Sequence, residues 1–205
     1  METVLSVEKE INGKKMRLSI LQDDYATDPR EWDNLGHMVC FHRRYNLGDE
    51  HEFESAVEFV DFLDKLQKRD AVIARPLYLY DHSGVTMNTG GFYQYDPQGW
   101  DWGKVGYIYV TKERVREVFK VKQVSPRLKL QVLEILQAEV DEYDMYLRGE
   151  VYGYRIEELV PCFGCGHVDS EIIDSCGGFF GWDFEKSGML SEIPSEWHEL
   201  IKQEV

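Results

Sequence analysis

TVLSVEKEINGKKMRLSILQ, residues 3–22, alternates apolar and polar side chains on both sides of Asn12-Gly13. Alternation at period two is the pattern of a half-buried strand, and Asn-Gly accepts the positive φ angles of a type I′ turn. The stretch therefore predicts an antiparallel hairpin with strands at 3–11 and 15–22. The later strands and helices do not alternate as regular βαβ units. The pattern as a whole predicts an α+β fold, a mainly antiparallel sheet with two to four packed helices, formed as one domain over residues 1–205.

Outward from the hairpin, residues 23–34 are polar, contain Asp28-Pro29 and read as a connection, followed by a strand at 37–43. Period two puts Met38, Cys40 and His42 on one face of that strand and His37, Val39, Phe41 and Arg43 on the other. Residues 52–68 space Phe53, Ala56, Val57, Val60, Leu63 and Leu66 as an amphipathic helix. A strand at 71–80, interrupted near Pro76, runs into the turn chemistry of Asp81-His82-Ser83-Gly84, and residues 89–104 read as a long glycine- and tryptophan-rich loop before a strand at 105–110. Thr111 caps a short helix to Phe119. Ser125-Pro126 opens a longer one to about Arg148, with proline in the first turn where its missing N–H costs little. Strands at 151–160 and 170–176 and a terminal helix at 193–203, with Pro194 at its start, complete the reading.

The 205 residues are 43% hydrophobic and 13% aromatic, enough apolar surface for a core and far from the composition of a disordered chain. No apolar run reaches the roughly 20 residues that span a bilayer, and the start shows no basic region leading into an apolar one. The expectation is a cytosolic protein without a membrane segment. Four cysteines, three of them between Cys162 and Cys176, suit reduced thiols or a metal better than a disulfide framework. Acidic side chains number 38 against 23 basic, a net charge of −15 that disfavours direct DNA binding and favours basic partners. The charge is uneven: residues 104–129 carry a net +6 and residues 130–185 a net −11.

Three constellations offer chemistry. His37, His42, Asp49 and His51, joined by Asp81 and His82 if their strands pair, offer ligand atoms for a divalent ion at a hydrolase or nuclease centre. Within the same set, Cys40 with His82 and Asp81 has the residue types of a nucleophile, base and orienter. Against these stands a structural reading, in which Arg43 and Arg44 pair with Asp49, Glu50 or Asp81. Second, Cys162, Cys165, His167 and Cys176 supply three sulfurs and an imidazole around a Cys-x-x-Cys turn, the donor set of a structural zinc, although their spacing also suits an ordinary hairpin turn. Third, Glu134, Glu139, Asp141, Glu142 and Asp144, extended by Glu150, Glu157 and Glu158, form a row of carboxylates that matches a basic nucleic-acid groove. The basic run at 112–129 either neutralises that row or contacts RNA phosphates. Phosphate-binding loops, dinucleotide fingerprints and the common serine-hydrolase and zinc-protease signatures are missing from the sequence.

The motifs EWDNLGHMVCFHRRYNLGDEH at 31–51, PLYLYDHSGVT at 76–86, VGYIYV at 105–110 and DSCGGFFG at 174–181 resemble a family of small proteins carried by bacteriophages, prophages and plasmids. That resemblance spans roughly residues 23–181 and implies no catalytic role for any residue. It implies a setting, the bacterial host cytoplasm, in which acidic accessory proteins inhibit defence enzymes. The expectation is an anti-defence protein, anti-CRISPR or antirestriction, that needs no cofactor beyond a structural zinc. It would bind a basic nucleic-acid-handling partner, such as a Cas nuclease or a restriction enzyme, stoichiometrically through its acidic surface. The alternative is a metal-dependent hydrolase built on the histidine cluster.

Overall fold

The computed structural model describes residues 2–204 and is α+β, 30% helical and 35% strand, with five helices and eight strands in two antiparallel sheets. The described chain divides into two compact units: a central one, Asp28–Arg148, and a terminal one made of the residues up to Thr27 and from Gly149 onward.

In the terminal unit β1 (Thr3–Ile11) and β2 (Lys14–Gln22) form the expected hairpin, with Asn12 at φ 53° and Gly13 at φ 76° in the turn. The strand order is β1, β2, β7 (Val151–Pro161), β8 (Val168–Phe180). Leu18, Ile20, Tyr154 and Ile156 line one face and pack on Met189, Ile193, Trp197 and Ile201. Those last residues do not belong to one helix over 193–203. Helix α4 (Met189–Glu192) ends before Ile193 and Pro194, which are extended at ψ 133° and 135°, and α5 (His198–Glu204) follows a 3-10 turn. The ring of a proline pushes the preceding residue out of the helical region, so Pro194 separates two helices here instead of opening one.

The central sheet runs β3 (His37–Cys40), β6 (Trp102–Thr111), β4 (Val72–Asp81), β5 (Val85–Asn88). Its two faces are both covered, and the alternation along β6 shows how. Ile108 and Val110 point into the cluster with Val132, Leu136, Val140 and Tyr143 of α3 (Pro126–Leu147), whereas Tyr107 and Tyr109 meet Phe59 and Leu63 of α1 (Ala56–Lys68). Between β6 and α3 in the chain lies α2 (Lys112–Phe119), capped by the Thr111 side chain. Close approach of β3 and β6 depends on Gly106, where an added Cβ would fall 1.9 Å from the Val39 carbonyl oxygen.

Several expected boundaries shift for local reasons. Helix α1 starts at Ala56, not 52, because Ser55 accepts a hydrogen bond from the Glu58 N–H and so caps it. Its buried stripe centres on Phe59 and Leu63, leaving Val57 72% exposed. The strand expected at 37–43 stops at Cys40. Strand β4 continues through Pro76, because the β5 ladder begins only at Tyr78 and the proline needs no partner on that side. Strand β5 was hidden in sequence by its length of four residues.

Candidate functional site

The histidine-rich segment of the central unit is organised by a residue the sequence reading did not single out. Asp28 caps a 3-10 turn that starts at Pro29 and projects Arg30 inward, leaving its side chain 4% exposed. Arg30 donates from Nε and Nη2 to the two oxygens of Asp49 at 2.8 and 2.9 Å, from Nη2 to the Gly36 carbonyl at 2.8 Å, and from Nη1 to Glu139 at 3.3 Å. Asp49 also accepts the Met38 N–H at 2.7 Å, and His37 Nδ1 lies 3.0 Å from the same oxygen. Burial would raise the Asp49 carboxyl, but the hydrogen bonds from His37, Arg30 and Met38 and the Arg30 charge outweigh it and bring the pKa down to about 2. The only sequence signal for Arg30 was Asp28-Pro29, which marked a turn but not the direction of the next side chain.

The other members of the expected centre are held separately. Cys40 is buried on β3, and burial, followed by the nearby Asp49 charge, pushes its thiol up to about 12. It is therefore protonated near neutrality and cannot serve as an attacking thiolate. Its carbonyl lies 3.2 Å from His51 Nε2, and the His51 ring packs on Phe41 and Phe53. Asp81 pairs with Arg44 and accepts from the Tyr45 hydroxyl at 3.2 Å, while His82 Nδ1 lies 2.9 Å from Asp101. His42 stacks on Tyr45 at 5.1 Å. Burial, then the Arg44 and Arg43 charges, lowers its pKa. The Cys40, His82 and Asp81 set is thus not assembled as a triad, because each polar member is engaged elsewhere. Of the pairings weighed from sequence, Arg44 with Asp81 is present, while Asp49 is taken by Arg30. Among the described residues no group of three or more His, Cys, Asp or Glu side chains is gathered as metal ligands.

Between the Phe41–Arg44 segment and the start of β6 runs a groove of about 620 Å³. Arg43, which makes no hydrogen bond or ion pair among the described residues, lines it with Lys104, Trp100 and Trp102. Trp100 is 82% exposed, whereas Trp102 is fixed by donating its indole N–H to the Asp96 carbonyl at 2.7 Å. Lys104 donates to the Tyr107 hydroxyl at 2.9 Å, and the carboxylates of Asp81 and Asp101 line the same groove, so its charge is mixed.

The carboxylate row on α3 separates into two kinds. Glu139 accepts from the Leu35 N–H at 2.8 Å, from the Gly36 N–H and from Arg30, so it fastens the loop before β3. Asp144 accepts from the Thr86 hydroxyl at 2.6 Å and the Met87 N–H at 2.7 Å, which anchors β5, and from Arg148 at 3.0 Å. These two are structural. Glu134 and Asp141 lie seven residues apart on the solvent stripe of α3, with Asp141 accepting from Gln137 at 2.8 Å. Glu142 is half-buried, and burial followed by the Glu139 charge raises its pKa. Glu150, Glu157 and Glu158 belong to the terminal unit, where Glu157 is buried and accepts from the Ser170 hydroxyl at 2.8 Å and Glu158 pairs with Lys14 at 2.6 Å.

The candidate zinc residues are also divided. Cys162, Cys165 and His167 occupy the tip of the β7–β8 hairpin, all exposed. Cys176 pairs with Tyr154, eight residues along β8 from Val168 at the tip. At about 3.3 Å per residue that separation is roughly 26 Å. Because the turn is short and β8 leads back from it along β7, with one register shift near Ile173, the strand carries the third sulfur away from the other two.

Comparison of the chain with protein-family models, with curated proteins and with solved structures gives no match in any of the three. Among the described residues no helix is long and apolar enough to cross a membrane.

Proposed function

We propose that the protein is an anti-defence factor of a mobile genetic element, which inhibits a basic, nucleic-acid-handling host enzyme by stoichiometric binding. The observation that carries the reading is the net charge of −15 together with carboxylates on α3 that the fold does not use. Glu134 and Asp141 stand on the solvent stripe, with Glu142 at its margin, whereas Glu139 and Asp144 hold loops in place. A row of fixed negative charge can occupy a groove shaped for backbone phosphates, and its long-range field speeds the encounter. Supporting the binding reading over catalysis, Cys40 is a buried thiol and the histidines are spread over separate contacts.

The test titrates the purified chain into a guide-loaded Cas nuclease with target DNA, and in parallel into restriction enzymes, following cleavage and complex formation. The expected result is inhibition that ends at an equimolar ratio, is unaffected by chelator and weakens as salt is raised. Glu134→Lys with Asp141→Lys should weaken it about tenfold or more, the size of effect that removing a few interfacial charge contacts produces, with unchanged thermal stability. Inhibition by far less than equimolar protein, or abolished by chelator, would show catalysis and overturn the reading.

A further inference from the structure

Strands β7 and β8 extend past the rest of their sheet. The ladder between β2 and β7 ends at Met16 and Glu158, after which Leu159, Val160 and Pro161 pair only with Ser170, Asp169 and Val168 of β8. Every residue from Val160 to Gly178 is exposed. The end of this arm is a closed turn, in which the Cys162 N–H donates to the His167 carbonyl at 2.6 Å and the Gly166 N–H to the Cys162 carbonyl at 3.2 Å. Gly166 adopts φ +72°, a conformation that suits glycine. Cys162 and Cys165 are both exposed in this turn.

An exposed Cys-x-x-Cys pair in a closed turn presents two thiolates to one metal ion. Structural zinc takes four ligands. Cys176 lies far down β8, and His167 Nε2 is turned toward Asp169 at 3.4 Å, so the tip offers half a site. What completes it is indicated by charge. Residues 159–168 contain no Asp, Glu, Lys or Arg, although the chain carries −15 overall. Two such tips can meet over this uncharged stretch without apposing like charges, the flanking carboxylate of Asp169 being turned to His167. Phe163 is fully exposed, and Val160 and Val168 are 42% and 49% exposed, which supplies apolar surface for the meeting.

We propose that two copies of this chain share one zinc ion at their hairpin tips, each contributing Cys162 and Cys165. The ion replaces the thiol protons, which pass to solvent, so uptake strengthens with rising pH. The inference is independent of the α3 carboxylates.

The test strips the reduced full-length chain with chelator, adds zinc, removes the excess and measures bound zinc by elemental analysis alongside molar mass by light scattering. One zinc per two chains and a doubled mass are expected, both reversed by chelator, with a cobalt-substituted sample showing thiolate-to-metal charge transfer. Cys162→Ser or Cys165→Ser should abolish both, while His167→Ala and Cys176→Ala leave both intact; circular dichroism confirms that each variant folds. A monomer with one zinc per chain, failure to take up zinc, or a doubled mass that survives chelator would overturn the proposal.

Discussion

Arg30 shows how much one side chain can decide. Its guanidinium meets Asp49 through two parallel hydrogen bonds and reaches Glu139 as well, in a position 4% exposed to solvent. Removing one partner of a buried ion pair leaves a charge with neither water nor counter-ion, so Arg30→Ala should destabilise the protein by about 3–5 kcal/mol in urea denaturation. Lysine would not replace it, since an ammonium lacks the planar fork that spans a carboxylate. Asp49 makes a related prediction in acid. Its carboxyl titrates near 3.8 when unfolded and about 2 when folded, so the folded state binds fewer protons and its extra stability is present above about pH 4. That contribution, on the order of 2 kcal/mol, is lost as pH falls from about 4 through 2. Asp49→Asn should remove this part of the acid dependence; an unaltered acid slope would show that Asp49 is not its source.

At the scale of the element, α3 joins three tasks on one cylinder. Val132, Leu136, Val140 and Tyr143 fill the core, Glu139 and Asp144 flank that stripe and fasten neighbouring segments, and Glu134 and Asp141 face solvent. The flanking positions were readable from spacing. Glu139 stands three residues after Leu136 and four before Tyr143, and Asp144 four after Val140, each within a turn of the buried stripe. What spacing could not supply was the identity of the groups they meet, because residues 35–36 and 86–87 are distant in the chain. Asp144→Ala should cost about 1–3 kcal/mol by leaving the Met87 N–H without its acceptor. Amide exchange at Met87 should rise sharply while Ile108 on the central strand keeps its protection. Equal loss at both positions would mean that Asp144 supports the whole unit and not β5 in particular.

For the molecule as a whole, the −15 charge acts at long range, and its effect on a basic partner is bounded by salt. The screening length is about 8 Å at physiological ionic strength, so the steering part of any association falls as salt rises while contacts already made at short range persist. The inhibitor titration should therefore lose association rate with salt faster than it gains dissociation rate. Sequence patterning alone determined the β1–β2 hairpin around Asn12-Gly13, the α3 start at Ser125-Pro126, the strand character of β6 and the α+β class, because these depend on period, caps and turn residues within a few positions. It did not determine which carboxylates stay free, that Arg30 organises the histidine segment, or that Cys176 is carried away from Cys162 and Cys165. A side chain's charge is visible in the sequence, but its partner is chosen by contacts between residues tens of positions apart. Only the tertiary structure brings Arg30 to Glu139, or keeps Cys176 from the hairpin tip.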